Sequence, residues 1–193
     1  IFLTNAASLC LDLPRDYNEW IHFHGRHTME RITERLPLAH GIQESSSRRG
    51  TSSHQQNPSI ILFNKDCTET QGNCIGTMLM YSGSFSAKIE YDQLEQTRLV
   101  MGINPELFRW ELKSGAKFCT PESVTSFSNK GFEQLSHNFH KTVREHICRG
   151  KYKLAERPVL INNWEATYFD FDEKKILKIA EQAAQLGVDM LVL

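Results

Sequence analysis

The feature that most limits the fold is a series of short apolar runs in the first 127 residues, each closed by turn-forming residues. In residues 85–91 every second residue is apolar, from Phe85 to Tyr91, which is the period of a strand with one buried face. Many short strands separated by turns predict an antiparallel β-sandwich. The other runs are residues 20–24, 59–63, 75–81, 99–103, 108–112 and 123–127.

Two connections between these runs carry further predictions. Ser82-Gly83 stands between residues 75–81 and 85–91, and this pair predicts a hairpin turn that makes the two strands neighbours in one sheet. Residues 44–58 are long, polar and without periodicity, so the segment is either disordered or functional. Its composition alone favours disorder.

The period changes after residue 129. Apolar residues recur every three or four positions from Phe132 to Ile147, which predicts one amphipathic helix. Ser128 or Asn129 would cap its start, and Gly150 stands just past its end. The charged residues 151–156 then predict a domain boundary.

The last part of the chain predicts a β-α-β unit. The apolar run at residues 159–161 is typical of a parallel strand buried on both faces. Residues 173–186 have one apolar helical face, and residues 190–193 form a second strand. Such a unit opens either a barrel or a doubly wound sheet. The predicted parts are a sandwich domain in residues 1–150, truncated at its start, a linker in residues 151–156 and the start of a second domain in residues 157–193.

Composition excludes some partners and suggests a compartment. The formal net charge of −1 gives no electrostatic case for nucleic acid or a membrane surface. No apolar run approaches the roughly 20 residues of a membrane helix. The five scattered cysteines favour free thiols in a reducing, cytoplasmic compartment, although Cys67 and Cys74 could bridge across a loop. The first residue, Ile1, and the apolar last residues lead us to expect an internal fragment, so secretion of the parent stays open.

A histidine cluster near residue 24 has the look of a metal site. His22 and His24 would share one face of a strand, with His27 close behind. No Asp, Glu or Cys completes a ligand set at the usual spacing, so the sequence disfavours zinc. We expect neither a metal nor a cofactor.

Residues 157–172 resemble the segment that opens the catalytic barrel in glycoside hydrolase family 36. Shorter motifs upstream are similar to the N-terminal β-supersandwich of that family and occur in the same order. The resemblance implies a truncated supersandwich followed by the first β-α-β of a (β/α)8 TIM barrel. The upstream motifs are Gly41-Ile42-Gln43, Arg49-Gly50, Ser52-Ser53-His54-Gln55, Asn57-Pro58, Tyr81-Ser82-Gly83, Gly102-Ile103-Asn104-Pro105 and Thr120-Pro121-Glu122.

The resemblance also implies an activity. Members of the family remove terminal α-linked galactose from melibiose and raffinose-type sugars with retention, using an Asp nucleophile and an Asp acid/base about 5 Å apart. None of Asp170, Asp172 or Asp189 lies in the family's catalytic motifs, so we expect both catalytic residues beyond Leu193 and an inactive fragment. We also expect the parent enzyme to be a homo-oligomer. The alternatives are an α-N-acetylgalactosaminidase and a non-catalytic carbohydrate-binding β-sandwich.

Two residues are candidates for substrate binding through this resemblance. Trp164 follows the end of the first barrel strand and matches a Trp that lines the galactose pocket, whereas simple packing beside Tyr168 and Phe169 is the alternative. His27 stands where many members carry a Trp that reaches the active site from the sandwich domain. It could hydrogen-bond a sugar, or the role could be lost.

The resemblance revises the expectation for the polar segment. Arg48, Arg49 and His54 would otherwise belong to a solvated surface loop. The match to the family instead favours an ordered segment at a domain or subunit contact.

Overall fold

The computed structural model describes residues 1–106 and 108–193, and these form two compact units, Ile1–Thr142 and Val143–Leu193. The strands of the first unit are β1 (Phe2–Leu3), β2 (Ala6–Leu13), β3 (Glu19–Arg26), β4 (Met29–Pro37), β5 (Gly41–Ser46), β6 (Gln56–Phe63), β7 (Cys74–Leu79), β8 (Phe85–Tyr91), β9 (Thr97–Ile103), β10 (Trp110–Glu111) and β11 (Ser123–Ser128). Helix α1 (Gly131–Thr142) follows them. The second unit contains β12 (Leu160–Asn162), α2 (Trp164–Thr167), α3 (Glu173–Gln185) and β13 (Met190–Val192).

Two antiparallel sheets make up most of the first unit. One has five strands in the order β11-β7-β6-β3-β4, and the other has four in the order β2-β9-β8-β5. The short strands β1 and β10 pair separately. The predicted antiparallel β-sandwich is therefore confirmed, and β8 has the predicted bounds.

The main core lies between these two sheets. Trp20 and Leu62 of the five-stranded sheet belong to the same buried cluster as Phe85 and Met101 of the four-stranded sheet. Phe85 has no accessible surface. Burying a side chain of this size contributes about 1.5–3 kcal/mol, so alternate residues of β3, β6, β8 and β9 hold the sandwich together.

A second, smaller core lies on the opposite face of the five-stranded sheet, where helix α1 packs. Leu135 of the helix belongs to one buried cluster with Ile21 and Phe63. Gly76 makes the close approach possible, because an added Cβ there would lie 2.7 Å from the ring of Phe139. The first unit is thus layered as sheet, sheet and helix.

The predicted hairpin at Ser82-Gly83 is wrong. Strands β7 and β8 lie in different sheets, so the connection crosses from one sheet to the other. Both edges of β7 are already paired, with β6 and β11, which leaves no edge for β8. Tyr81 fits over the turn, because a Cβ on Gly83 would lie 2.5 Å from its hydroxyl oxygen.

The polar segment at residues 44–58 is ordered, as the family resemblance predicts and composition alone does not. Its ends belong to β5 and β6. Between them, Ser47 Oγ donates to Thr51 O at 2.6 Å and Ser52 Oγ to Tyr81 O at 2.8 Å. Arg48 pairs with Glu106. Local hydrogen bonds and this ion pair therefore fix the loop.

Helix α1 is shorter than predicted. It ends at Thr142, and the backbone continues as one π-helical turn over Val143–Ile147. The division between the two units falls at the same place. The domain limits at residues 150 and 157 stay a prediction.

Within residues 1–106 and 108–193, no helix combines the length and apolarity needed to cross a membrane.

The second unit is a β-α-β unit, as predicted. β12 and β13 are parallel neighbours, with Leu160 opposite Met190, and α3 connects them. The Asp172 side chain caps α3 by accepting from Lys175 N at 2.8 Å. The first strand is more exposed than predicted, since Leu160 keeps half of its surface. The physical reason is that the described elements of this unit are too few to cover both faces of the β12–β13 pair, which has one full-length helix, α3, beside it.

Candidate functional site

Trp164 lies immediately after the carboxyl end of β12, at the start of the short helix α2. The chain turns sharply here because two asparagines provide the hydrogen bonds of the turn. Asn162 Oδ1 accepts from Trp164 N at 2.7 Å, and the buried Asn163 donates from Nδ2 to Thr167 Oγ1 at 2.9 Å. The two asparagines therefore hold the indole at the strand end.

The indole of Trp164 packs edge-to-face against two aromatic rings. The Phe169 ring meets it edge-on at a centroid distance of 4.8 Å, and the Tyr168 ring does so at 5.5 Å. The Trp164 residue nevertheless keeps 43% of its surface accessible. An exposed indole can stack on the apolar face of a sugar and donate one N–H hydrogen bond, so this arrangement suits a carbohydrate subsite.

Three aspartates of the second unit have structural partners, and one of them, Asp189, lies at the amino end of the β12–β13 pair, away from Trp164. Asp172 caps α3, and Asp170 lies 2.9 Å from Lys175 Nζ. Asp189 Oδ2 accepts from Val159 N at 2.9 Å, next to the β12–β13 pair. Each carboxylate is engaged locally, which leaves Trp164 as the candidate binding residue of the second unit.

His27 lies at the tip of the β3–β4 hairpin in the first unit. Its side chain is 93% exposed and its Nδ1 lies 4.0 Å from Glu30 Oε1. Backbone N–H groups of Glu30 and Thr28 hold the pKa of the Glu30 carboxyl below its ordinary value. The tip therefore presents an imidazole beside a carboxylate to solvent. His27 and Trp164 belong to different units.

His22 and His24 do share one face of β3, and a carboxylate that the sequence analysis missed lies between them. Glu34 Oε2 is 3.2 Å from His22 Nε2 and 3.6 Å from His24 Nε2. Glu34 lies on β4 directly opposite His22, so the pairing of the hairpin, rather than linear spacing, would have found it. The His22 ring also stacks on Trp20 at 4.7 Å.

Burial affects the protonation of His22. Desolvation lowers the pKa of His22, and this effect exceeds the opposing attraction of the Glu34 carboxylate. Neutral His22 is therefore favoured in the folded protein. Among the described residues, no group of three His, Cys, Asp or Glu side chains has an arrangement that could hold a metal ion.

Two protein-family models match this chain. The family model of the glycosyl hydrolase family 36 N-terminal domain matches residues 1–113, which is more than half of the chain. The chain belongs to glycosyl hydrolase family 36. The Melibiase family model matches residues 117–193 and therefore contains α1 and the whole second unit. Trp164 thus lies in the family 36 segment described as melibiase, and His27 lies in the N-terminal domain.

Several family 36 relatives match nearly all of the chain. The bifunctional α-galactosidase/sucrose kinase AgaSK of Mediterraneibacter gnavus is 49% identical over 193 residues, which is 100% of this chain and 21% of that protein. The α-galactosidase AgaA of Geobacillus stearothermophilus is 48% identical over 191 residues, which is 99% of this chain and 26% of that enzyme. This chain spans about a quarter of the length of these relatives.

The fold of AgaA agrees closely with that of this chain. Its crystal structure superposes with a TM-score of 0.94 at 48% identity, over 100% of this chain and 27% of AgaA. Structures of AgaA variants in complex with raffinose and with stachyose have also been solved. Both molecules are galactose-containing oligosaccharides.

Proposed function

We propose that this chain is part of an α-galactosidase that removes terminal α-linked galactose from raffinose-type oligosaccharides with retention of configuration. The observation that carries the proposal is the exposed Trp164 at the carboxyl end of β12, in a chain whose whole length superposes on an enzyme of that activity. In (β/α)8 barrels, ligands bind at the carboxyl ends of the strands.

The chemistry divides between this chain and the rest of the proposed enzyme. Retention needs two carboxyl groups about 5 Å apart, one as nucleophile and one as acid/base. The Asp170 carboxylate pairs with Lys175. Asp172 caps the start of α3, and Asp189 accepts a hydrogen bond from Val159 N. None of the three lies in a catalytic motif of the family that this chain resembles, and the chain spans about a quarter of its α-galactosidase relatives, so we assign both catalytic carboxyls to sequence outside these 193 residues.

The proposed role of Trp164 is to bind and orient galactose. An indole wall restricts the rotation of the sugar and excludes water from one side of it. Orientation of this kind lowers the barrier by holding the reacting bond in the productive geometry. The turn formed by Asn162 and Asn163 keeps the indole in place before substrate arrives, so little ordering is required on binding.

We also propose that the complete enzyme is a homo-oligomer. His27 is the second proposed substrate contact. Its imidazole is almost fully exposed at the hairpin tip. A neutral imidazole offers one N–H donor and one acceptor, which suits sugar hydroxyls. His27 would therefore supply a hydrogen bond where other members of the family supply a Trp.

The proposal is tested with the complete enzyme that contains this chain. Incubation with raffinose, followed by proton NMR, should release galactose first as the α-anomer. A parallel assay should give a much higher kcat/KM for a chromogenic α-galactoside than for the matching N-acetylgalactosaminide. Initial release of the β-anomer would refute retention, and preference for the N-acetylated substrate would refute the specificity. An enzyme without turnover on either substrate would refute catalysis altogether.

A further inference from the structure

Two buried cysteines lie together at one end of the five-stranded sheet. Cys67 is in the loop that joins β6 to β7, and Cys74 is the first residue of β7. Their exposed fractions are 1% and 0%. Both belong to the apolar cluster between this sheet and α1, together with Phe63 and Leu135. The two side chains therefore share one small, buried apolar compartment.

The backbone of the loop brings the two cysteines together. Asn64 N donates to Asn73 O at 3.1 Å, which closes the base of the loop, and Cys67 N donates to Asn64 O at 2.9 Å. Gly72 then passes so close to Cys67 that an added Cβ would lie 2.6 Å from the Cys67 Cα. Each thiol donates to a neighbouring backbone carbonyl, Cys67 Sγ to Thr68 O at 3.8 Å and Cys74 Sγ to Gly131 O at 3.3 Å. Gly131 N in turn donates to Gly72 O at 3.1 Å, so the loop, the start of β7 and the start of α1 meet at the two cysteines.

We propose that Cys67 and Cys74 are a disulfide-forming pair, oxidised by a low-molecular-weight disulfide such as oxidised glutathione. The Cys67 thiolate attacks one glutathione sulfur, forms a mixed disulfide and releases one glutathione thiolate. The Cys74 thiolate then attacks the Cys67 sulfur, forms the protein disulfide and releases the second glutathione. Two electrons pass to glutathione, and the two cysteine protons end on the two released glutathione molecules.

The native environment keeps this pair reduced until the loop opens. Burial raises the pKa of both thiols, that of Cys74 to about 12, and the thiol form is a poor nucleophile. The loop around Cys67 is exposed at Lys65, Asp66 and residues 68–71. Local opening of this loop would expose Cys67 first, because Cys74 is held within the β7 ladder.

The same loop holds the first turn of α1, so the disulfide would act on the helix. Phe132 N donates to Thr68 O at 3.0 Å, and Glu133 N donates to Glu69 O at 2.9 Å. These loop carbonyls accept N–H groups that have no partner within the helix itself. A cross-link from Cys67 to Cys74 would fix these carbonyls and therefore strengthen the docking of α1 on the sheet.

The test uses the 193-residue chain with the other three cysteines replaced, as Cys10→Ser, Cys119→Ser and Cys148→Ser. The protein is incubated with oxidised glutathione under native conditions and in mild denaturant, and its intact mass is measured. The expected product has lost two hydrogens and carries no glutathione. Glu69 lies between the two cysteines, so cleavage after it should give two peptides that remain joined until reductant is added.

The matched controls remove one partner at a time. Cys74→Ala and Cys67→Ala in the same background should each stop at a single glutathione adduct. The oxidised form of the triple-serine variant should have an unfolding temperature about 5 °C above that of its reduced form, as expected for a short closed loop. Its amides at residues 131–133 should exchange more slowly. If both cysteines instead carry glutathione, or both stay reduced in mild denaturant, the proposal is overturned.

Discussion

Truncation of Trp164 in the complete enzyme gives the sharpest test of the site. Trp164→Ala removes the indole that we place against galactose. A little over half of the residue is buried, so about 140 Å² of an indole of up to about 250 Å² leaves water on folding. At about 25 cal/mol per Å², its loss should cost the fold about 3.5 kcal/mol.

A matched control separates this packing cost from a catalytic one. Trp110 is 50% exposed and also packs on a neighbouring aromatic ring, that of Phe118 at 5.4 Å. Trp110→Ala should therefore reduce stability about as much as Trp164→Ala does. If Trp164 orients the sugar, its loss alone should also lower kcat/KM on raffinose by about 100-fold, which corresponds to about 2.7 kcal/mol of transition-state binding.

The assay compares steady-state kinetics and thermal unfolding for the two variants and the parent. Measurement well below the unfolding midpoint ensures that both variants are folded. The expected pattern is two similar losses of stability and one large loss of kcat/KM. Trp164→Ala with a kcat/KM within a few-fold of that of Trp110→Ala would show that Trp164 is a packing residue.

Three further predictions concern the chain itself. The 193-residue chain should not hydrolyse a chromogenic α-galactoside, because it lacks the proposed pair of catalytic carboxyls; turnover that survives stringent purification would contradict this. In hydrogen exchange, residues 159–193 should exchange faster than the sandwich, since Val159 and Leu160 are at least half exposed; equal protection in monomeric protein would argue against it. Burial lowers the pKa of His22 from 6.5, so the unfolded chain binds the proton first and the unfolding free energy should fall as the pH drops below 6.5. Urea titrations between neutral pH and about pH 5 should show a weaker pH dependence for His22→Asn, and an unchanged dependence would exclude His22 as its source.

The strands of the sandwich could be predicted from sequence where apolar and polar residues alternate along them, and less well elsewhere. β8 was found because its inward residues are apolar and its outward ones polar. β4 was missed because it is an edge strand whose residues are mostly exposed, so burial leaves no pattern in Met29–Pro37. The hairpin at Ser82-Gly83 failed for a different reason. A turn signal shows where the chain bends and cannot show that both edges of β7 are already occupied.

Some features of the candidate site could likewise be predicted from the sequence, and others could not. The position of Trp164 after the first parallel strand could be predicted, because an apolar run followed by Asn162-Asn163 marks a strand end. The contact of Glu34 with His22 and His24 could not, since it depends on the register of β3 against β4. The approach of Cys67 to Cys74 could not be predicted either, for a similar reason. It depends on how the loop folds back at Gly72.

The topology of the four-stranded sheet has a consequence for biosynthesis. β2 pairs with β9, from Ala6 opposite Ile103 to Leu13 opposite Thr97, so more than eighty residues separate the partners. A ribosome adds about 5–20 residues per second, and β2 therefore waits on the order of 4–16 s for its partner. Such non-local pairing also slows folding, because a long loop must close first. During that interval the nascent chain carries an unpaired strand, whose free backbone N–H and C=O groups can pair with the wrong partner.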